Sequence, residues 1–309
     1  MVHCLFGSGK HCVECGTALI EKELKEAEVA RWLTKDDIDS VPWLPADQTI
    51  LDVIRSSMQP VKPLHTSEYD NESFFNEYAK MARSQGGLPA AGEWHQLKPL
   101  FPPLQGKRVL DLGCGYGWHC KFAEEQGAAQ VLGIDLSQRM LNEAQKRNAG
   151  AAIQYRRCSI EDYEYPENAW DCVVSNLALH YVADLESVYR KVYRTLKPGG
   201  IFLFNIEHPT FTAGVNQDWV YAADGTPQFW PIDNYYLPGE RHTNFLGCDV
   251  VKQHHTLTQI LMGLLNSGFE LQAVEEAQPS AEMLSIPGMK DELRRPMMLL
   301  VKAAIPKKL

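Results

Sequence analysis

Three glycines and two acidic residues around two predicted strands have the clearest chemical potential in this chain. The stretch VLDLGCGYG runs from an apolar strand into a turn that holds Gly113, Gly115 and Gly117. Such a turn lets a ligand approach bare backbone. Asp111 lies inside the strand, and Asp135 ends the next one, where a carboxylate can accept hydrogen bonds from ribose hydroxyls. These residues predict a site for a cofactor that contains a nucleoside.

Asp111 and the glycine spacing distinguish between two classes of cofactor. The dinucleotide fingerprint is G-x-G-x-x-G, whereas here the third glycine comes two residues after the second. A buried carboxylate beside this loop would repel a pyrophosphate, but it would attract a ligand that carries an ammonium and a sulfonium group. S-adenosylmethionine has both groups and no phosphate. We therefore expect S-adenosylmethionine, with S-adenosylhomocysteine as the product, and a dinucleotide-dependent oxidoreductase is the alternative.

Apolar strands alternate with amphipathic helices from about Arg108 onward, which predicts an α/β fold with a largely parallel sheet. Five strands are expected at RVLDL, QVLGID, IQYRRC, WDCVVSN and IFLFNIE, and two more at FELQAVEEA and PMMLLVKA. Ligands of such sheets bind beyond the carboxyl ends of the strands. The motifs therefore converge on one edge.

Four stretches, VLDLGCGYG, GIDLS, WDCVVSNLALHYV and LKPGGIFLF, resemble in order and spacing the motifs of class I S-adenosylmethionine-dependent methyltransferases. The nearest resemblance is to the small-molecule branch that includes ubiquinone- and biotin-pathway enzymes, and it covers roughly Ser67 to the C-terminus. It implies a Rossmann-like, seven-stranded, mostly parallel sheet with an antiparallel last strand. It also implies in-line transfer of a methyl group to an oxygen, nitrogen or carbon nucleophile. A cofactor-binding regulatory protein without catalytic activity is a further alternative.

The resemblance also assigns cofactor contacts residue by residue. Asp111 would hold the amino group through a short network, Asp135 the ribose, and Glu161 the adenine amine. The helix FFNEYAKMARS would close over the cofactor, and a packing helix with Arg83 in solvent is the alternative. The residues assigned to the cofactor are Tyr78, Arg83, Asp111, Gly113, Cys114, Gly115, Gly117, Asp135, Leu136, Met140, Ser159, Ile160, Glu161, Asn176 and Leu177.

Two histidines that follow predicted strands are the candidate catalytic residues. His180 comes just after WDCVVSN, and His208 comes directly after IFLFNIE. Both therefore project from the edge at which ligands of a parallel sheet bind. A histidine there can remove a proton from an oxygen or nitrogen nucleophile, and His208 is the first candidate for this base. A hydrogen-bonded structural histidine is the alternative for each.

Residues from about 208 to 255 interrupt the alternation and are rich in aromatic side chains among turn signals such as DG and PG. An insertion of this size in a compact α/β domain is usually functional. Aromatic side chains with polar tips are typical of small-molecule pockets, so we expect a lid that touches the substrate. A lid that packs only on its own aromatic residues is the alternative. The residues assigned to the substrate are Trp219, Trp230, Tyr235, Tyr236 and His254.

Composition favours a small-molecule acceptor. The 309 residues carry a formal net charge of −9 and no basic stripe, which disfavours nucleic acid as a partner. The fourth strand ends in SNLA, not in the N/D-P-P-Y/F turn of DNA amino-methyltransferases. Apolar runs are too short for a membrane span, and the N-terminus has no signal pattern. We expect a cytoplasmic monomer or homodimer that binds no membrane.

Residues 1–65 are predicted to form an N-terminal appendage ahead of a methyltransferase domain at 66–309. Cys12 and Cys15 make a single C-x-x-C knuckle, which is half of a zinc ribbon, so we expect no metal. The stretch from Glu28 to Met58 resembles the C-terminal tail of Nudix hydrolases. The catalytic G-x5-E-x7-R-E-x2-E-E element of that family does not occur in the chain, so no hydrolase activity is implied. The appendage is expected to pack or to form dimers.

Overall fold

A computed structural model describes the backbone of residues 2–7, 10–15 and 29–33, and residues 67–306 in full. The chain divides into two compact units, Met1–His65 and Thr66–Leu309. In the first unit, strands β1 (Val2–Gly7), β2 (Lys10–Cys15) and β3 (Val29–Leu33) form an antiparallel sheet in the order β2-β1-β3. The knuckle cysteines lie on β2. Much of the Nudix-like stretch lies outside the described residues.

The second unit is built on a seven-stranded sheet, as the sequence predicts. The seven strands are β4 (Arg108–Leu112), β5 (Gln130–Asp135), β6 (Ile153–Arg157), β7 (Trp170–Asn176), β8 (Leu196–Glu207), β13 (Glu270–Glu276) and β14 (Met298–Ala304). Their order in the sheet is β6-β5-β4-β7-β8-β14-β13, and β14 is antiparallel to its neighbours β8 and β13. The other strands run parallel.

The central strands are buried on both faces because helices cover the sheet on each side. Leu110 and Leu112 of β4 pack with Phe202 and Phe204 of β8 in one core cluster, and Val109 lies in the cluster on the other face. The helices that cover the sheet are α4 (Trp118–Glu125), α5 (Gln138–Arg147), α6 (Leu185–Thr195) and α8 (Leu257–Asn266).

Side-chain caps fix where these helices begin. Ser137 Oγ accepts from the backbone N–H of Met140 at the start of α5, and Asp184 accepts from Ser187 at the start of α6. Thr256 and Gln259 form a capping box on α8. Ahead of β4, the described residues from Ser67 onward form three short α-helices, α1 (Glu72–Tyr78), α2 (Ala82–Gly86) and α3 (Trp94–Leu97).

The insertion at 208–255 contains four β-strands and one short α-helix, which the aromatic pattern did not predict. Its main element is a hairpin whose strands meet at Leu246 and Gly247, with φ of 54° and 80°. Two residues in this left-handed region form the tight turn that suits a two-residue hairpin. Its elements are α7 (Pro209–Thr212), β9 (Val220–Tyr221), β10 (Pro227–Phe229), β11 (Gly239–Phe245) and β12 (Cys248–His254).

Candidate active site

The glycine turn joins β4 to α4 at the carboxyl edge of the sheet. Gly115 and Gly117 have φ of 52° and 75°, a region that favours glycine. A Cβ at Gly117 would overlap the Tyr155 hydroxyl, whereas one at Gly115 would have no atom within 4 Å. The open side of the turn is therefore at Gly115, where a ligand can reach the backbone.

Asp135 closes this turn from the neighbouring strand. Its Oδ2 accepts from the N–H of Gly115 at 2.8 Å, and its Oδ1 accepts from the N–H of Ser137 at 2.8 Å. Burial raises the pKa of Asp135 to about 6, although the two backbone hydrogen bonds oppose the shift. Each carboxylate oxygen keeps a lone pair. The carboxylate can therefore hold the turn and still accept from ribose hydroxyls.

Asp111 is buried under the turn with one carboxylate oxygen unpartnered. Cys120 Sγ donates to Asp111 Oδ2 at 3.3 Å, while Oδ1 has no hydrogen bond. Burial raises the pKa of Asp111 to about 7. A buried acceptor without a partner is costly, and an ammonium group would satisfy it. The turn, Asp111 and Asp135 thus fit a nucleoside cofactor with a cationic end.

A segment just before α1, which the sequence reading overlooked, is docked beside Asp135. Asp70 Oδ1 accepts from Ser137 Oγ at 2.7 Å and from the N–H of Arg139 at 3.1 Å. The Tyr69 ring meets that of Tyr78 edge-on, at 5.2 Å between centroids. These contacts place Tyr78, one of the predicted cofactor residues, against the same edge of the sheet.

Arg83 is not in solvent but paired with a buried acid. Its Nη2 lies 2.8 Å from Glu93 Oε2, and Glu93 is 1% exposed. Asn205 Nδ2 donates both to Glu93 Oε1, at 3.3 Å, and to Asn176 Oδ1, at 2.9 Å. A chain of polar groups therefore links Arg83 to the tip of β7. Glu93 and Asn205 were not predicted, because neither lies in a recognisable motif.

The other predicted cofactor residues lie along the same edge of the sheet and differ in backbone conformation, burial and hydrogen bonding. Leu177 has a φ of 53°, an unusual conformation for a non-glycine residue that clusters at functional sites. Met140 is buried, whereas Glu161 is exposed. Ser159 Oγ donates to Asp162 Oδ2 at 2.8 Å. The residues in this group are Cys114, Leu136, Met140, Ser159, Ile160, Glu161, Asn176 and Leu177.

Of the two ring nitrogens of His208, Nδ1 is hydrogen-bonded, whereas Nε2 faces a carboxylate without a hydrogen bond. Nδ1 accepts from the N–H of Thr210 at 3.0 Å, which caps α7, and Nε2 lies 3.1 Å from Glu276 Oε1. Because Nδ1 accepts, the neutral ring carries its proton on Nε2, facing a carboxylate. His208 would have to give up the cap to accept another proton. The structure does not bring His208 together with His180.

His180 lies in a different polar group, which we call the acceptor cluster: His180, Glu207, Gln217 and Lys252. His180 is 3% exposed, its Nε2 lies 3.9 Å from Glu207 Oε1, and its Nδ1 has no partner. Burial lowers the pKa of His180 to about 4. The ring is therefore neutral at pH 7, and Nδ1 offers a free lone pair if Nε2–H faces the carboxylate.

Lys252 and Glu207 form the centre of the acceptor cluster. Lys252 is 3% exposed, and its Nζ donates to Glu207 Oε1 at 2.6 Å and to Gln217 Oε1 at 3.2 Å. Glu207 Oε2 and Gln217 Nε2 have no hydrogen bond. Glu207, Gln217 and Lys252 were all missed by the sequence reading. From the sequence VVKQHH alone, this lysine would be expected in solvent. In the structure, the β11–β12 hairpin turns it inward.

The predicted substrate residues separate into two groups in the insertion. Trp230 stacks on Phe211 at 5.1 Å between centroids, meets Trp219 edge-on, and lies under the Arg295 guanidinium at 4.2 Å. Phe211, Trp219, Trp230 and Arg295 thus form an aromatic cluster in which the rings pack against one another. In the other group, Tyr235 is half-buried and Tyr236 is 85% exposed.

His254 joins parts of the insertion. Its Nε2 lies 2.8 Å from the Tyr235 carbonyl, and its Nδ1 lies 2.6 Å from Thr212 Oγ1. A carbonyl only accepts, so Nε2 carries the proton and Nδ1 accepts from the threonine hydroxyl. His254 is fully buried, with both nitrogens used by the fold. In this structure, His254 therefore connects α7 to the segment that precedes β11.

Comparisons with known proteins match the chain to methyltransferases. Residues 110–204 match the model of a methyltransferase domain family. The structure of an S-adenosylmethionine-dependent methyltransferase from Mesorhizobium loti is 42% identical, with a TM-score of 0.65, and covers 71% of this chain and 100% of its own. A protein of Listeria monocytogenes assigned to the same class is 47% identical, with a TM-score of 0.68, over 72% of this chain and 100% of its own.

A sequence relative extends over a similar range. An uncharacterised protein of Haemophilus influenzae is 30% identical over 244 residues, which are 77% of this chain and 96% of that protein. The fold, the glycine turn and these relatives define one class of protein. The chain belongs to the S-adenosylmethionine-dependent methyltransferases. The cofactor predicted from Asp111 and the glycine spacing is confirmed, and the dinucleotide alternative is not supported.

Among the described residues, none of the helices combines the length and hydropathy that crossing a bilayer requires.

Proposed function

We propose that this methyltransferase acts on a hydroxyl or N–H group of a small molecule, and that His180 accepts the proton of that group. The observation that carries the proposal is the buried, unpartnered Nδ1 of His180, next to the carboxylate of Glu207. A positioned proton acceptor matters for an oxygen or nitrogen nucleophile, which must lose a proton during methylation. We also propose that the protein is a monomer or homodimer and that it does not bind nucleic acid.

The donor side is held by the glycine turn and its acidic neighbours. We assign the ribose of S-adenosylmethionine to Asp135 and its amino group to Asp111. We assign its amino-acid end to the chain of polar groups that begins at Arg83. When bound, S-adenosylmethionine supplies an activated methyl group: its sulfur–methyl bond breaks as the bond to the acceptor forms, leaving S-adenosylhomocysteine. The protein therefore has to align the acceptor and exclude water.

On the acceptor side, we assign the proton to His180 instead of His208. The acceptor's proton passes to Nδ1, and the imidazolium that forms is stabilised by Glu207, whose Oε1 is 3.9 Å from Nε2. The Thr210 cap occupies Nδ1 of His208, and its Nε2 faces the Glu276 carboxylate. Of the insertion's aromatic residues, Tyr235 and Tyr236 remain candidates for contact with the substrate. Trp219, Trp230 and His254 then act by holding the insertion together.

The test of the proposed acceptor class is transfer from methyl-labelled S-adenosylmethionine into a metabolite extract. We expect the label in dialysable molecules, unchanged by nuclease and protease, and bound through a new oxygen–methyl or nitrogen–methyl bond. The control is the same incubation with purified RNA and protein in place of the metabolite extract. Label confined to RNA or protein would refute the small-molecule assignment.

Binding of S-adenosylhomocysteine should release protons near pH 6.5. The pKa of Asp111 is raised to about 7 and that of Asp135 to about 6, so both carboxyls are partly protonated there. An ammonium group beside Asp111 favours its ionised form, and affinity should therefore rise from pH 5.5 to 8. Calorimetry in two buffers of different ionisation enthalpy measures the released protons. The variant Asp111→Asn should lose most of this dependence, and a pH-independent affinity of the parent would contradict the assignment.

Arg83→Gln should weaken S-adenosylhomocysteine binding about 10- to 100-fold, the scale of a hydrogen bond between charged groups. Binding of 5′-methylthioadenosine, which lacks the amino-acid end, should stay within about twofold. The control is Lys80→Gln, because Lys80 forms an exposed ion pair with Glu77 on the same segment and such pairs contribute little. Equal weakening of both ligands would mean that Arg83 only supports the fold.

A further inference from the structure

The acceptor cluster is a buried polar group with unused hydrogen-bonding capacity of both kinds. Glu207 Oε2 and His180 Nδ1 are acceptors without partners, and Gln217 Nε2 is a donor without one. Lys252 Nζ has three hydrogens and donates to two oxygen atoms, one of Glu207 and one of Gln217. Buried polar groups are normally hydrogen-bonded. Several unsatisfied groups in one place therefore indicate a site that a polar ligand completes.

The cluster lies next to the donor site. Tyr181 comes directly after His180, and the two rings are in contact. The Tyr181 hydroxyl is 3.2 Å from the Tyr69 hydroxyl. Tyr69 directly precedes Asp70, which docks beside Asp135. On β8, Glu207 lies two residues after Asn205, so the two side chains leave the same face of the strand. The acceptor cluster and the cofactor contacts therefore share one edge of the sheet.

The charges of the cluster cancel. Lys252 is paired with Glu207, and His180 is neutral because burial lowers its pKa. Arg295, a cation that contacts the aromatic cluster, is 2.8 Å from Glu292 and shares the Phe211 ring with Lys252. Arg83 lies on the donor side, where we assign it to the amino-acid end of the cofactor. Lys252 and Arg295 thus each have their own carboxylate, and neither is left to neutralise an anion at the acceptor cluster.

We propose that Glu207, Gln217 and Lys252, with His180, form the acceptor subsite, and that it selects an uncharged small molecule with a hydroxyl or N–H group. This inference rests on the proposed function. The reacting hydroxyl or N–H donates to His180, a second donor reaches Glu207 Oε2, and Gln217 Nε2 donates to an oxygen of the acceptor. A phosphate or carboxylate would face Glu207 Oε2 without a free cation, which disfavours it.

The test asks whether Lys252 can be exposed to an anion by removing its partner. Inorganic phosphate is titrated into the full chain, saturated with S-adenosylhomocysteine, and followed by ³¹P resonance broadening and calorimetry. The parent should show no saturable binding at millimolar phosphate. Glu207→Gln should bind phosphate about 10- to 100-fold more tightly than the parent. The double variant with Lys252→Met should lose that gain.

Two results would overturn the inference. Saturable phosphate binding by the parent that Lys252→Met abolishes would make the subsite anion-selective, and no gain in Glu207→Gln would mean that Lys252 does not face ligand. If Glu207→Gln loses its near-ultraviolet dichroism, its fold is disturbed, and Gln217→Lys takes its place in the same titration. That substitution adds a cation at a half-buried position. S-adenosylhomocysteine affinity is measured first on every variant, so failure of the donor site is seen separately. A methylated product that carries phosphate or carboxylate would also count against the inference.

Discussion

Replacing His180 with asparagine should lower the turnover of methyl transfer about 10²–10⁴-fold, the usual contribution of a positioned base. Asparagine keeps a polar group of similar reach but cannot accept a proton at neutral pH. Affinity for S-adenosylhomocysteine should barely change, because His180 contacts Glu207 and Tyr181 instead of the glycine turn. Initial rates at saturating donor, with the acceptor found in the labelled extract, measure the effect.

The pH profile and two histidine controls make this result specific. Since the pKa of His180 is lowered to about 4, the parent rate at saturating substrates should be flat through neutrality and fall only near pH 4, where the ring becomes protonated. His255→Asn is the matched structural control, because His255 Nε2 donates to the Val182 carbonyl. If His208→Asn is the inactive variant and His180→Asn retains the parental rate, the base is His208 and our assignment is wrong.

Asp135→Ala should cost about 1.5–3 kcal/mol of cofactor binding, or about 10- to 150-fold in Kd, the scale for hydrogen bonds to a charged group. The loss has two sources. The variant removes the acceptor that we assign to the ribose hydroxyls, and it frees the N–H of Gly115, which shapes the turn. Calorimetry with S-adenosylhomocysteine measures the change in Kd.

Asp171→Ala is the matched control for Asp135→Ala. Asp171 also lies on the sheet and accepts from a backbone N–H, that of Arg108 at 2.9 Å, but it pairs with Lys197 at the strands' amino ends. Its loss should affect thermal stability and leave cofactor affinity within about twofold. Parental affinity in Asp135→Ala would place the ribose elsewhere.

The sheet and the glycine turn could be predicted because their signals are local in sequence. A buried strand that runs into closely spaced glycines can do little but end in a turn at the sheet edge, and Asp135 follows from the same periodicity one strand later. The antiparallel β14 came from the family resemblance and agrees with the structure.

The acceptor cluster could not be predicted because its residues meet only through the insertion. Glu207 and Lys252 lie far apart in the chain, and the β11–β12 hairpin turns Lys252 inward beside Glu207. Position alone also did not show that His208, which follows β8, uses its Nδ1 to cap α7. Likewise, nothing in the sequence around Glu93 indicates that it is buried opposite Arg83.

The most direct test of the account is a crystal structure of the full chain with S-adenosylhomocysteine. We expect the ribose on Asp135, the amino-acid end between Asp111 and Arg83, and the sulfur directed toward His180 and Glu207. A sulfur atom directed toward His208 and Glu276, or a ligand bound away from Gly115, would contradict it.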